Sequence, residues 1–175
     1  YVAGVRKELS IRTIFNILGP LTNPAGATMQ VLGVYEKELV EPITEVIKNL
    51  GVKSAVVVYG MDVMDEISAS DKTFVCELKD GKTMSYEISP EYFDMELVSK
   101  ADLVGGDAKE NAEITLKVLK GEKGPRRNAV LLNSAAGLYV AGKVESLREG
   151  VKMAAEIIDS GKALKQLEKF IEVTN

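Results

Sequence analysis

The sequence predicts an α/β domain with a helical tail, on three observations. Between residues 29 and 59, an apolar run, an amphipathic stretch and a second apolar, β-branched run follow one another with short connections. Asp80-Gly81, the strongest two-residue turn signal, sits between two further runs of strand length. From about residue 107 onward the apolar residues recur at helical spacing.

In chain order, residues 2–9 read as helix, with Val2, Val5 and Leu9 on one side. The chain opens on Tyr1, already inside this pattern and without a helix start signal, so the expectation is a piece of something longer. Residues 12–18 read as a short helix, and Gly19, Pro20, Asn23, Pro24 and Gly26 as a loop. Residues 29–35 have the length and apolarity of a buried strand. Residues 38–50 put Leu39, Ile43, Val46, Ile47 and Leu50 on one helical face, and Gly51 ends that helix. Residues 54–59 form the second strand. Strand, helix and strand in this arrangement make a βαβ unit, whose strands pair in parallel. Residues 75–79 and 83–88 flank Asp80-Gly81 as a half-exposed antiparallel pair, with Cys76 and Leu78 alternating with polar neighbours.

Four helices follow. Asp107 and Glu110 form a capping-box pattern that opens a helix to about Lys120. Pro125 starts the next, to about Ala141. Residues 145–160 carry Leu147, Val151, Ala154 and Ile158 on one face and stop at Gly161, and residues 162–172 carry Leu164, Leu167 and Ile171. Asn133 to Gly137, small residues in mid-helix, read as a place of close helix packing. Residues 1–24 are expected to lead as a helical segment and hinge into an α/β domain at 25–175.

Composition narrows the chemistry. The chain has 175 residues, 46% hydrophobic and 27% charged, enough apolar material for one real core. Net charge is −4, with both signs mixed along the chain, so no basic stripe offers a nucleic-acid footprint. No apolar run reaches the roughly 18 residues that a membrane span needs. The single cysteine, Cys76, has no internal disulfide partner, which suits a reducing cytoplasm. Histidine is absent, which excludes His-based triads and the usual zinc sites within these residues. Carboxylates, arginine, lysine, backbone groups or a hard metal ion must carry any chemistry.

The acids that stand out are Asp65 and Glu66, in Gly-Met-Asp-Val-Met-Asp-Glu-Ile-Ser at residues 60–68, directly after the second parallel strand. In open α/β sheets, ligands bind beyond the carboxyl ends of the strands. Neighbouring carboxylates on a strand point to opposite faces, whereas a loop can aim both at one point. Such a pair suits a hard divalent cation, and magnesium is often held by one or two carboxylates with substrate phosphates and water. Taken alone, two loop acids are more often solvated, or one of them caps a helix. Asp62 is close enough to compete as a ligand. Gly105-Gly106-Asp107 could pass for a phosphate loop, but Asp107 as N-cap puts a carboxylate where phosphate would bind. Lys123, Arg126 and Arg127 read as a solvated basic loop.

Residues 12–24 read Arg-Thr-Ile-Phe-Asn-Ile-Leu-Gly-Pro-Leu-Thr-Asn-Pro. Taken alone they are a helix-to-loop connector. The segment is similar to the signature of anthranilate phosphoribosyltransferases, and Val5-Arg6-Lys7-Glu8-Leu9 resembles the helix before it. Downstream, residues 31–35, Asp65-Glu66-Ile67-Ser68, Gly105-Gly106-Asp107-Ala108 and residues 121–127 fall in the family's order. The resemblance covers essentially the whole chain and corresponds to about the last half of the family's.

The resemblance implies the carboxy-terminal part of a large α/β domain of the nucleoside phosphorylase/phosphoribosyltransferase type, a mixed, mostly parallel sheet with flanking helices. It implies transfer of phosphoribosyl from phosphoribosyl diphosphate (PRPP) to anthranilate, in tryptophan biosynthesis. Asp65 and Glu66 would hold Mg2+ on the diphosphate side, and Arg6 would help hold anthranilate by pairing with its carboxylate. Gly19 and Pro20 would line the aromatic channel. A full-length protein would be a homodimer. The family's Gly-rich PRPP loop and most of its dimerising helical domain have no counterpart here, so the isolated chain is expected to be inactive. A pyrimidine nucleoside phosphorylase-like enzyme and a non-catalytic α/β binding module are the alternatives.

Overall fold

The structure, a computed structural model, describes residues 15–174. The helix expected at 2–9, with Arg6, therefore lies outside the described residues. Four strands form one sheet in the order β1 (Met29–Gly33), β2 (Ser54–Gly60), β3 (Thr73–Lys79) and β4 (Lys82–Ile88). β1 and β2 pair in parallel, as the βαβ pattern requires, with Val31 opposite Val56. β2–β3 and β3–β4 are antiparallel. The sheet is mixed, and among the described residues its parallel pairing is confined to β1–β2. Asp80 and Gly81 join β3 to β4 with φ of +51° and +72°. Both values are positive, as a two-residue turn needs to match the twist of its strands.

The apolar run of β2 is explained by burial on both faces. Val56 and Val58 enter one core with Val75, Leu131, Leu132 and Val151. Ala55 and Val57 enter the other with Val40, Ile43, Ile47 and Leu78. β3 is therefore a buried central strand, not the half-exposed one expected. Glu77 is only 8% exposed. Its carboxylate accepts hydrogen bonds from Tyr139 Oη at 2.6 Å and Tyr86 Oη at 3.0 Å. Burial, then the neighbouring Glu77 charge, pushes the Tyr86 hydroxyl well above its ordinary range, so it stays a donor.

On one side of the sheet lie α1 (Phe15–Leu21) and α2 (Val40–Asn49). Helix α1 runs through Gly19-Pro20, where a loop was expected. Proline removes an N–H and clashes one turn back, so it ends this helix rather than preventing it: the chain leaves after Leu21. The buried face of α2 is Val40, Ile43, Thr44 and Ile47, whereas Val46 and Leu50 are exposed. Thr44 can sit inside because its hydroxyl donates to Val40 O at 2.7 Å. Gly51, at φ +91°, closes the helix with its N–H on Lys48 O, while Val52 N–H reaches Ile47 O.

On the other side lie α3 (Lys100–Leu103), α4 (Ala108–Leu119), α5 (Pro125–Val140), α6 (Leu147–Asp159) and α7 (Lys162–Thr174). Helix α3 has no periodic signature; its start is set by Ser99 and Asp102 in a capping box. The Asp107–Glu110 box forms as expected. Leu147, Val151, Ala154 and Ile158 are buried on α6. They pack beside α5, where Gly150 lies against Ala135: a Cβ on Gly150 would come within 2.8 Å of Ala135 O. Close helix packing is thus real, but Ala135 makes it, since a Cβ on Gly137 would meet nothing within 4 Å. Helix α7 has no buried residue among those described.

The expected solvated basic loop is corrected at Arg127. It is 3% exposed and pairs with Asp159, at the end of α6, at 2.8 Å. Lys123 reaches the same carboxylate at 3.1 Å. The paired Arg127 guanidinium first, then Lys123, holds the Asp159 carboxyl below its ordinary value of 3.8. A depressed folded-state value stabilises above the unfolded one and is lost as pH falls through the folded one. Thermal unfolding of the chain against Asp159→Asn should therefore show a gap at neutral pH that narrows below about pH 4. A gap constant down to pH 2 would contradict the pairing.

Candidate functional site

The loop after β2 carries the acids to the carboxyl ends of the parallel strands, where the topology places a site. It leaves β2 in a tight turn: Val63 N–H donates to Gly60 O at 2.9 Å, and Gly60 N–H to Met64 O at 2.8 Å. Val63 holds φ at +68°, a strained region for a β-branched residue. The chain then crosses the end of β1 so closely that a Cβ on Gly33 would lie 1.6 Å from Asp65 O. Beyond the pair, Asn133 Oδ1 accepts from Ile67 N at 2.9 Å, and its Nδ2 donates to Ile67 O at 3.0 Å. Ser68 N–H donates to Thr73 Oγ1 at 2.9 Å. Asp62 is held apart from the pair in its bonding: Ser70 Oγ donates to its Oδ2 and Lys100 Nζ to its carbonyl, each at 2.5 Å.

Asp65 is exposed and Glu66 half-buried. Glu66 lines a cavity of about 560 Å³ with Asn111, Arg126, Asn133, Leu103 and Val118 among others. Burial first, then the charges of Asp65 and Asp62, pushes the Glu66 carboxyl above its ordinary value. Among the described residues, no ion pair compensates Asp65 or Glu66. Asp62 Oδ1 is buried without a hydrogen-bond partner. Crowded, uncompensated carboxylate oxygen fits a hard divalent cation better than it fits a solvated surface. Among the described residues, no group of three or more His, Cys, Asp or Glu converges as a complete protein cage. Two carboxylates completed by water and phosphate are the arrangement that magnesium favours.

The other residues singled out from sequence are elsewhere. Gly19 and Pro20 are exposed on α1, and neither lines the Glu66 cavity. Pro20 O accepts from Gln30 Nε2 at 3.4 Å. Arg6 lies outside the described residues. Gly105 lines the cavity, and Arg126 donates to Val104 O at 2.8 Å, tying that loop to α5. Sequence reasoning missed Gly33 and Asn133. The available signal for Asn133 was a polar amide in an apolar helical run, where it needs a partner.

Residues 1–164 match a family model described as "Glycosyl transferase family, a/b domain". The chain is 73% identical over 175 residues to the anthranilate phosphoribosyltransferase of Methanobrevibacter smithii, covering 100% of this chain and 52% of that protein. The crystal structure of the Thermus thermophilus anthranilate phosphoribosyltransferase superposes with a TM-score of 0.89 at 43% identity, over 98% of this chain and 50% of that one. The Saccharomyces cerevisiae anthranilate phosphoribosyltransferase in complex with PRPP and Mg gives a TM-score of 0.86 at 32% identity, with 98% and 50% covered. The chain therefore spans about half the length of the curated relatives it matches, and the resemblance read from residues 12–24 and the acidic pair is borne out.

Proposed function

Because the chain belongs to the glycosyl transferase family, in its a/b domain, we propose that it supplies the metal-holding wall of an anthranilate phosphoribosyltransferase site. The observation that carries this is the Asp65–Glu66 pair, without an ion-pair partner among the described residues and held at the carboxyl ends of β1 and β2 beside an open cavity. The reaction moves phosphoribosyl from PRPP to the amine of anthranilate and releases diphosphate, a step of tryptophan biosynthesis.

Asp65 and Glu66 would hold Mg2+ on the diphosphate side, where the ion, when bound, would supply charge neutralisation for the leaving group. The two carboxylates fix where that neutralisation occurs, and their backbone enters the reaction already placed. Positioning and charge stabilisation supply the acceleration, so no covalent nucleophile is required and the absence of histidine is no obstacle. Arg6 pairs with the carboxylate of anthranilate through its planar guanidinium. Gly19 and Pro20 shape the aromatic channel without taking part in the chemistry. Residues 1–24 serve as the leading segment and hinge, and 25–175 as the α/β domain.

The chain spans about half of its relatives' length, so the PRPP loop and most of the dimer surface come from residues outside it. The isolated chain is then inactive, and a full-length protein is a homodimer. No helix among the described residues is long and apolar enough to cross a membrane. Cys76 is free and buried, in keeping with a cytoplasmic enzyme.

The test is anthranilate-dependent consumption of PRPP by a complete protein carrying this sequence. Arg6→Ala should raise the anthranilate concentration required by about 10-fold or more, as loss of a charge-assisted bond of ~1.5–3 kcal/mol dictates, with the PRPP requirement little changed. An unaltered anthranilate profile would count against Arg6. Turnover by the isolated chain would sink the division of the site.

A further inference from the structure

We propose that Asn133 is the positioning residue of the Asp65–Glu66 pair. The proposal rests on the reading of that pair as a metal site. Asn133 is partly buried in the middle of α5, 66 residues along the chain from Ile67. Its side chain nevertheless closes a two-bond ring with one backbone unit: Oδ1 accepts from Ile67 N at 2.9 Å, and Nδ2 donates to Ile67 O at 3.0 Å. Nδ2 also donates to Ala129 O at 3.0 Å, which anchors the amide to its own helix. Only a side chain with a donor and an acceptor at fixed spacing can make this ring; aspartate lacks the donor and leucine has neither.

Ile67 directly follows Glu66 and is itself 2% exposed. On the other side of the pair, the Asp65 backbone rests on Gly33. The acids are thus held between two fixed points, one on β1 and one on α5. Electrostatics explains why holding is needed. Carboxylates this close in the chain repel one another, so an unsupported loop would drift to part them. The Asn133 ring opposes that drift and keeps Glu66 on the wall of the cavity that Asn133 also lines. Partners that orient metal ligands in this way contribute roughly 10–100-fold to metal affinity.

The test is Mn2+ titration of the 175-residue chain, read as paramagnetic broadening of backbone amide signals. In the unaltered chain, Asp65, Glu66 and Ile67 should broaden first. Asn133→Ala should keep the fold while the Mn2+ concentration needed rises about 10–100-fold. Leu131→Ala, in the neighbouring core, is the stability control: it should lower the unfolding temperature and leave Mn2+ binding unchanged. Should Asn133→Ala not fold, Asn133→Ser keeps a polar group in place but cannot span both Ile67 atoms, and the same loss is expected. Glu66→Gln separates the two claims. If it abolishes the broadening while both Asn133 variants bind Mn2+ as the unaltered chain does, the positioning role is overturned and the metal site stands. If Glu66→Gln leaves the broadening intact, the metal reading fails and the proposal falls with it.

Discussion

Gly33→Ala should displace the acidic loop and cost a complete protein carrying this sequence about 100-fold in turnover. The Cβ it adds would lie 1.6 Å from Asp65 O and 2.3 Å from Asp65 C, both backbone atoms. No rotamer change can relieve that contact, so the loop itself must move by more than an ångström. Misplacement on that scale costs on the order of 10²-fold when catalysis depends on alignment. Gly33 is the last residue of β1, and its partner Val58 stays hydrogen-bonded through Val34 N–H at 3.0 Å. The sheet should therefore survive, and amide shifts in the isolated chain should concentrate at residues 60–68. A variant with native loop shifts and native turnover would contradict the close approach.

Gly150→Val should destabilise the chain by about 3 kcal/mol, the upper end of what overpacking usually costs. The helices α5 and α6 meet there with no room: the added Cβ would lie 2.8 Å from Ala135 O and 2.9 Å from Ala135 Cα and Cβ. Parting them would open the core that Leu132, Ala136, Leu147, Val151 and Ala154 share. Against a typical total of about 5–15 kcal/mol, that is a large share. Gly137→Ala, on the partner helix α5, is the matched contrast. Its Cβ meets nothing within 4 Å, so replacing a mid-helix glycine should instead gain about 0.5–1 kcal/mol. Denaturant unfolding of the two variants should move in opposite directions. Equal stability of Gly150→Val and the unaltered chain would mean that the α5–α6 contact is misplaced.

The fold was legible where one local rule decides. The βαβ unit followed from apolar runs and short connections, the hairpin from Asp80-Gly81, and α4 from Asp107 and Glu110. The buried face of α6 followed from a single helical period. It was less legible where tertiary contacts overrule the pattern. Thr44 is buried because its hydroxyl is satisfied inside α2, which turns that helix away from Val46 and Leu50. Glu77 is buried because two tyrosines supply donors: Tyr86 on the adjacent β4, and Tyr139 on α5, 62 residues away. Arg127 looks like a solvated cation until the far end of α6 brings Asp159 to it.

The candidate site divides in the same way. Asp65 and Glu66 were legible as candidates only through the resemblance carried by residues 12–24, since two loop acids taken alone are more often solvated. Asp62 was a rival ligand on sequence and stays one in the structure: one carboxylate oxygen accepts from Ser70, and the other is buried without a partner. Gly33 and Asn133 were not legible, because each acts on a backbone brought close only by folding: Gly33 by lacking a side chain, Asn133 across 66 residues of chain.

The most direct measurement is turnover of anthranilate and PRPP as a function of Mg2+ in a complete protein carrying this sequence, compared with Asp65→Asn and Glu66→Gln. Both substitutions keep the shape of the side chain and remove its charge. The account predicts that each loses turnover at every Mg2+ concentration and needs at least about 10–100-fold more Mg2+ to reach half its maximum, since a ligand should matter no less than the partners that orient it. Turnover with an unchanged Mg2+ profile in both variants would remove Asp65 and Glu66 from the site and contradict the account.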